Sequence, residues 1–486
     1  MMESSVLLII ALFLPFIAAS GINLFSGQPN LREAVSLITS LILSVCLFEM
    51  GNRLLIGEVV EARLFEFIPG IALKFHLEPL GIIYALVAAI LWFVTTIYSL
   101  GYMRANGKRN QTRFYIFFSI AIGCSLGIAF SANLFTMFIF YEALTFSTYP
   151  LVTHKGDEKS RKSGKIYLMM LVGASIAFFL PAIIWTENLA GTLEFTEGGI
   201  LDQSGLSKLG LVFLLFLFVF GIGKAALMPM HRWLPAAMVA PTPVSALLHA
   251  VAVVKAGVFS ITKIIFYIFG THYLDDNSGG FFSTSLLAYI AAFTIICASI
   301  IAITKDNLKT RLAYSTIAQL SYIILAASIF SIASVKAAAM HIAAHAVAKI
   351  TLFFSAGAFT TASGKKNVSE LNGIGRKMPL VAIAFLISSL SMIGLPFLAG
   401  GESKLLIEHA AEEQNYGWIT FVLYLSMVLN AIYYLPISYR AFFMKSKSGK
   451  EIVNNIPMQI AITITTIFTI TYIFYMDYIS KLLEML

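Results

Sequence analysis

Apolar residues run in long blocks from one end of the chain to the other, and the polar residues gather in short stretches between them. Each block is about 18–25 residues long, enough for a helix to cross a hydrocarbon core of ~30 Å. A membrane β-barrel strand would be about half that length and would alternate in polarity. The pattern therefore predicts an all-α polytopic membrane protein of about fourteen spans. Their approximate limits are 4–25, 31–50, 77–100, 113–130, 132–153, 165–186, 209–230, 241–270, 282–303, 311–331, 334–361, 378–398, 416–443 and 456–482. The longest loops, near 51–76 and 187–208, have room for short surface hairpins or helices.

The loops carry an orientation. MRANGKRNQTR, HKGDEKSRKSGK, KDNLKTR, SGKKN with GRK, and KSKSGK follow the third, fifth, ninth, eleventh and thirteenth spans, and all are basic. The loops after even-numbered spans hold Glu187, Glu194, Glu197 and Asp202, then Asp275 and Asp276, then Glu408, Glu412 and Glu413. Basic loops stay in the cytoplasm. Both termini are then expected outside it, in a cell inner (plasma) membrane. The opening MMESSVLLIIALFLPFIAAS has an acidic residue where a signal peptide would be basic, and reads as a retained first helix.

Two spans are interrupted, at GIGKAALMPMHRWLP (221–235) and GLPFLAGGESK (394–404). Proline removes a helix hydrogen bond, and glycine loosens the backbone. Non-helical backbone at membrane depth is tolerated only inside protein or beside a water-filled cavity. The breaks fall in the seventh and twelfth spans. An odd separation makes them face opposite ways, as an inverted repeat with a transport site at each break requires.

Composition narrows the chemistry. The chain of 486 residues is 58% hydrophobic and 12% charged, about half the charged share of a soluble protein. Its net charge of +8 fits basic loops facing anionic lipid, with no nucleic-acid partner implied. Cys46, Cys124 and Cys297 stand far apart in apolar stretches without a CxxC, which argues against iron–sulfur or zinc ligation and a disulfide framework. No dinucleotide-binding fingerprint appears. No cofactor, metal or catalytic residue is expected.

The remaining candidates are ionisable side chains within spans. A charge at the bilayer centre costs about 2.5–3.5 kcal/mol on insertion scales. Glu142 lies midway along the fifth span and Lys224 beside the first break. Burial disfavours a charged lysine and a nearby carboxylate favours it, so the two together suit a protonation switch. The structural alternatives are a static salt bridge and a snorkelling lysine. His249 and Lys255 share the eighth span. His341, His345 and Lys349 follow at i, i+4 and i+8 on one stripe of the eleventh, where histidines titrating near neutrality suit a proton relay. A zinc reading of His341 and His345 lacks the glutamate of HExxH. Lys404 follows the second break as Lys224 follows the first. Glu402 and Glu408 stand near it as accessories, Glu408 as a pairing partner or at the outer end. His231 and Arg232 read equally as a gate and as an interfacial anchor with Trp233. Lys305, Asp306, Lys309 and Arg311 read as a basic flank of the tenth span.

The run HRWLPAAMVAPTPVSALLHAVAVVKAGVF resembles the hallmark segment of the antiporter-like membrane subunits found in respiratory complex I and in Mrp-type cation/proton antiporters. DNLKTRLAYSTIAQLSY, HAVAKITLFFSAG and GLPFLAGGESK resemble it too, and the likeness covers roughly residues 113–440. The resemblance implies fourteen core helices with two inverted five-helix repeats, spans four to eight and nine to thirteen. The chain then divides into N-terminal helices (1–112), a first repeat (113–270), a second repeat (271–443) and a last helix (444–486). It carries family roles in a proton pathway onto Glu142, Lys224, His249, Lys255, His345, Lys349 and Lys404. Ser321 and Ala344 depart from the family's usual glycine and asparagine. Lysine at 404 and the overall length look like the D-type member of the Mrp antiporters, or the M-type and N-type members of complex I. The largest member is disfavoured, because nothing after Leu486 leaves room for its lateral helix.

The first expectation is a proton-conducting subunit of a multisubunit sodium or potassium/proton antiporter, like the D-type Mrp member. The alternative is a proton-pumping subunit of an NADH–quinone oxidoreductase, an enzyme whose redox site would lie in other chains. The third is a membrane scaffold. In the first two the partners are other membrane subunits, protons, the lipid bilayer and, for the antiporter, sodium or potassium.

Overall fold

The apolar blocks are helices. A computed structural model describes residues 4–68, 71–107, 110–202, 204–279, 283–445 and 455–486. Helices α1 (Ser4–Leu24) and α2 (Pro29–Leu55) lead into an antiparallel hairpin of β1 (Glu61–Ile68) and β2 (Ile71–His76). The hairpin occupies one of the two long loops. Then come α3 (Pro79–Ala105), α4 (Gln111–Ala129), α5 (Leu134–Val152) and α6 (Glu158–Ala190). Helix α7 (Lys208–Gly221) stops at the first break, and α8 (Thr242–Phe269) follows it. The second half holds α9 (Leu286–Thr304), α10 (Leu308–Ala327), α11 (Ile332–Ser363) and α12 (Pro379–Ile393). After the second break come α13 (Ala399–Glu413), α14 (Gly417–Phe443), α15 (Ile456–Ile470) and α16 (Tyr472–Leu483).

Local chemistry sets these limits. Asn133, Asp157, Ser207 and Asn307 each accept a backbone N–H at the start of α5, α6, α7 and α10. Ser331 and Ser334 cap α11 reciprocally, and Gly364 ends it in the left-handed region. Proline opens α12 and Gly394, at φ 114°, closes it.

Among the described residues, nine helices are long and apolar enough to cross a membrane, or ten if α15 and the end of α16, bent by 66°, form one span. That is fewer than the expected fourteen, and the shortfall has physical causes. Helices α5 and α10 are 19 and 20 residues long, but Glu142 and a run of hydroxyls dilute the first, and Lys309, Arg311 and Gln319 the second. Helices α7 and α12 end at the breaks after 14 and 15 residues. The last block bends. Of the basic loops, residues 108–109 and 446–450 lie outside the described residues.

Burial separates two kinds of helix. The apolar stretches of α8 and α11 are wholly enclosed, whereas those of α2, α6 and α14 are mostly on the surface. Helix α11 packs against α3, α8, α10, α12, α13 and α15. The ionisable residues of α8 and α11 therefore face protein rather than lipid. Intramembrane charges with a function are found in that setting.

Candidate ion-conducting site

The first break positions Lys224. After α7 a single turn, Gly223–Ala225, leads to Ala226 at φ 56°. Gly257 of α8 packs on the backbone of Lys224 and Ala225, where any Cβ would collide. Lys224 is completely buried. Its Nζ donates to the Tyr141 carbonyl and to Thr145 Oγ1, each at 2.6 Å, and lies 3.0 Å from the Tyr141 ring centroid. These acceptors satisfy a buried amine without a counter-charge.

Helix α8 widens into a π-type turn at Leu247–Val251, around His249, a distortion common at functional sites. Tyr84 Oη donates to the Ala252 carbonyl at 3.0 Å beside it. The His249 ring lies 4.7 Å from that of Phe353, and neither of its buried nitrogens has a hydrogen-bond partner. Further along α8, Lys255 Nζ meets His345 Nδ1 of α11 at 2.6 Å.

Along α11 the polar stripe continues both ways. Lys349 Nζ donates to Ser315 Oγ at 2.6 Å and to Tyr434 Oη at 2.9 Å, and Tyr434 donates to Ser315 at 3.0 Å. In the other direction the His341 ring lies 6.2 Å from that of His345 and 5.6 Å from that of Tyr322. His341 Nδ1 is 2.8 Å from Ser403 Oγ. The next residue, Lys404, donates to the carbonyls of Met392 and Ile393 at 2.7 and 3.1 Å, with its Nζ 4.8 Å from the Tyr322 ring. Those carbonyls lack helix partners where α12 stops, Met392 accepting from Asn430 Nδ2 at 3.2 Å as well, and a helix C-terminus favours a cation. Gly400 and Gly401 allow α13 to close on the Ser391 and Leu395 carbonyls there. Lys255, His345, His341 and Lys404 thus form one buried row, with Lys349 as a branch. Among the described residues no three His, Cys, Asp or Glu side chains gather to hold a metal ion.

Residues 131–430 match the family described as NADH:quinone oxidoreductase/Mrp antiporter, TM. The chain belongs to this family of antiporter-like membrane subunits. It is 29% identical to NADH-quinone oxidoreductase subunit N of Desulforudis audaxviator over 81% of its own length and 77% of the relative's. To NADH-quinone oxidoreductase subunit L of Campylobacter jejuni it is 28% identical, over 92% and 72%. To the putative antiporter subunit mnhA2 of Staphylococcus aureus it is 30% identical, over 69% of this chain and 42% of that one. Two solved structures share the fold. A chain of the Mrp complex from Dietzia sp. DQ12-45-1b matches with a TM-score of 0.85 at 17% identity, over 99% of this chain and 96% of that one. A chain of the membrane-bound sulfane sulfur reductase, an archaeal respiratory membrane complex, matches with a TM-score of 0.84 at 22% identity, over 98% and 97%.

Within this antiporter-family fold, some expected neighbours meet and others do not. Glu142 makes no ion pair with Lys224, whose Nζ is held by Tyr141 and Thr145 instead. Both Glu142 carboxylate oxygens are buried without a hydrogen-bond partner. Glu402 accepts the Phe397 N–H at 2.8 Å, and Glu408 is hydrogen-bonded by Tyr424, so neither pairs with Lys404. His231 is half-buried with its ring 6.3 Å from that of Tyr314, apart from the row, and Arg232 is exposed. His341, an accessory by sequence, stands in the row itself.

Sequence reasoning passed over the neutral groups that seat the lysines: Tyr141, Thr145, Ser315, Tyr322, Ser403 and Tyr434. Hydroxyls in apolar spans are too common to single these out. It also passed over Lys263, eight residues beyond Lys255 in the same enclosed helix, although a second lysine in one apolar span is a usable signal.

Proposed function

We propose that this chain is the proton-conducting membrane subunit of a multisubunit monovalent cation (sodium or potassium)/proton antiporter, similar to the D-type Mrp member. The observation that carries this reading is the Lys255–His345 contact at 2.6 Å. It joins the helix that follows the first break to the row that ends at the second. Two positive charges this close repel strongly, so the pair holds one excess proton rather than two. A proton added at one end of such a row displaces another along it.

In this mechanism Lys224 is the switch. It leaves Tyr141 and Thr145 for the unpartnered Glu142 carboxylate when its charge must be compensated, and returns when its proton has moved on. His249, Lys255, His345 and His341 carry the proton across the middle, with Lys349 as a branch, and Lys404 releases it. The row has no energy source of its own, so the driving gradient or reaction belongs to partner subunits.

The same reading assigns about fourteen crossings, counting the polar, broken and bent helices with the apolar ones. It takes 113–270 and 271–443 as inverted repeats between the N-terminal helices 1–112 and the last helix 444–486. It places the chain in the cell inner (plasma) membrane, with the basic loops in the cytoplasm and both termini outside. The two breaks, each closed by glycine and each beside a buried lysine, support the repeat assignment.

A second reading is a proton-pumping subunit of an NADH–quinone oxidoreductase. The two relatives named for that enzyme favour it, being covered over 77% and 72% of their length against 42% for the antiporter relative. Purifying the native complex distinguishes the two. Small antiporter subunits support the first reading, and hydrophilic redox subunits the second. For either, Lys224→Ala abolishes proton flux in vesicles at normal expression. Unchanged flux contradicts both.

A further inference from the structure

Lys263 is fully buried on α8 and takes no part in the row described above. Its Nζ lies 2.6 Å from Glu78 Oε1 and donates to the Ser131 carbonyl at 2.7 Å. Glu78 immediately precedes α3, where the helix N-terminus favours its negative charge. Tyr267, one turn beyond Lys263, hydrogen-bonds the Glu78 carboxylate, and the exposed Glu197 lies close enough for its charge to act on the Tyr267 hydroxyl. The acidic loop carrying Glu197 is tied to this end of α8. Thr196 N–H donates to the Tyr267 carbonyl at 3.2 Å, and Ile200 N–H to that of Ile268 at 2.9 Å. Nearby, Lys74 of β2 pairs with Glu194 of the same loop at 3.1 Å, and His76 Nδ1 lies 3.1 Å from Glu61 Oε1.

Helix α8 thus places ionisable and hydroxyl side chains, Lys255, Ser260, Lys263 and Tyr267, from the middle of the bundle to the acidic-loop end. Lys255 and Lys263 are separated by about 12 Å at the helical rise. Between them Ser260 is buried with its hydroxyl unpartnered. A buried ion pair is weak evidence for stabilisation, because desolvation offsets much of its attraction. A pure lock between α3 and α8 would not need a tyrosine and a surface carboxylate aligned beyond it.

We propose that Lys263 and Glu78 form a second proton outlet, releasing protons from the first half of the molecule to the acidic-loop side independently of Lys404. The proposal rests on the proton-conducting reading above. The Lys263 Nζ–H bond breaks and an O–H bond forms on Glu78, leaving a neutral amine and a carboxylic acid. The acid passes its proton outward through the Tyr267 hydroxyl, which accepts one proton and gives up another. The amine is recharged from Lys255 through the Ser260 hydroxyl and water, each accepting one proton and giving up another.

The test measures proton flux in vesicles containing the intact native complex, together with its thermal stability. Lys263→Arg keeps the charge and the pairing with Glu78, but a guanidinium does not release its proton. Lys404→Met is expected to leave part of the wild-type flux. Adding Lys263→Arg to it is expected to remove that remainder, a further fall of roughly tenfold or more, with unchanged melting temperature. Lys263→Met combined with Glu78→Gln leaves no unpaired charge and gives the same loss in that background. If Lys404→Met alone abolishes flux, or if neither change at Lys263 lowers what remains, the second outlet is overturned and the relay stands. If Lys255→Met conducts normally, the relay reading fails and takes the outlet with it.

Discussion

Lys255 Nζ and His345 Nδ1, 2.6 Å apart and ninety residues apart in sequence, join α8 to α11 in one buried contact. A lysine ammonium in this contact requires Nδ1 to accept, which places the imidazole proton on Nε2. That nitrogen is buried without a partner. A neutral lysine reverses the roles. The contact therefore has two states that differ by the position of one proton, and the His341 ring stands 6.2 Å further along.

Glu142→Gln separates a working carboxylate from a structural one. Both carboxylate oxygens are buried and unbonded, so removing the charge also removes a desolvation cost. Proton flux is expected to fall roughly a hundredfold, while the melting temperature stays the same or rises. A lower melting temperature with normal flux would identify a static brace.

The seat of Lys349 is redundant. Ser315→Ala leaves Tyr434 as an acceptor, and Tyr434→Phe leaves Ser315. Each single variant is expected to cost less than the double, which strands a buried amine at about 1–3 kcal/mol. Thermal melting of the three variants checks this. Additive single losses would contradict a shared seat.

Lys404 is held by backbone carbonyls at the end of α12 rather than by Glu402 or Glu408. A carboxylate placed there meets carbonyl oxygens. Lys404→Glu is therefore expected to destabilise the protein by about 1–2 kcal/mol more than the neutral Lys404→Gln. Equal melting temperatures for the two would show that the carbonyl seat does not select a cation.

Much of this was legible from the residues alone. The apolar blocks gave the helices, the Gly/Pro clusters gave both breaks, and the i, i+4, i+8 stripe placed His341, His345 and Lys349 on one face of α11. The pairing of side chains was not legible. Whether Lys224 reaches Glu142 or Tyr141 depends on where Gly257 lets α8 press on the break, a close approach that no local pattern encodes. Glu78 and Lys263 were harder still, because one ends a loop and the other lies in a different helix 185 positions later. The expected number of crossings outran the apolar helices for a related reason. The shortfall lies in α5, α7, α10, α12 and the last block, whose polar residues, breaks or bend make them poor membrane helices by composition, whereas α8 and α11 qualify despite their histidines and lysines.

Proton flux through vesicles bearing the native complex with Lys255→Met, His345→Ala or both tests the central claim most directly. Each single variant is predicted to lower flux roughly a hundredfold, and the double to be no worse than either single, because both interrupt one step. Wild-type flux in the double variant, at normal expression and melting temperature, would contradict a proton path through this contact.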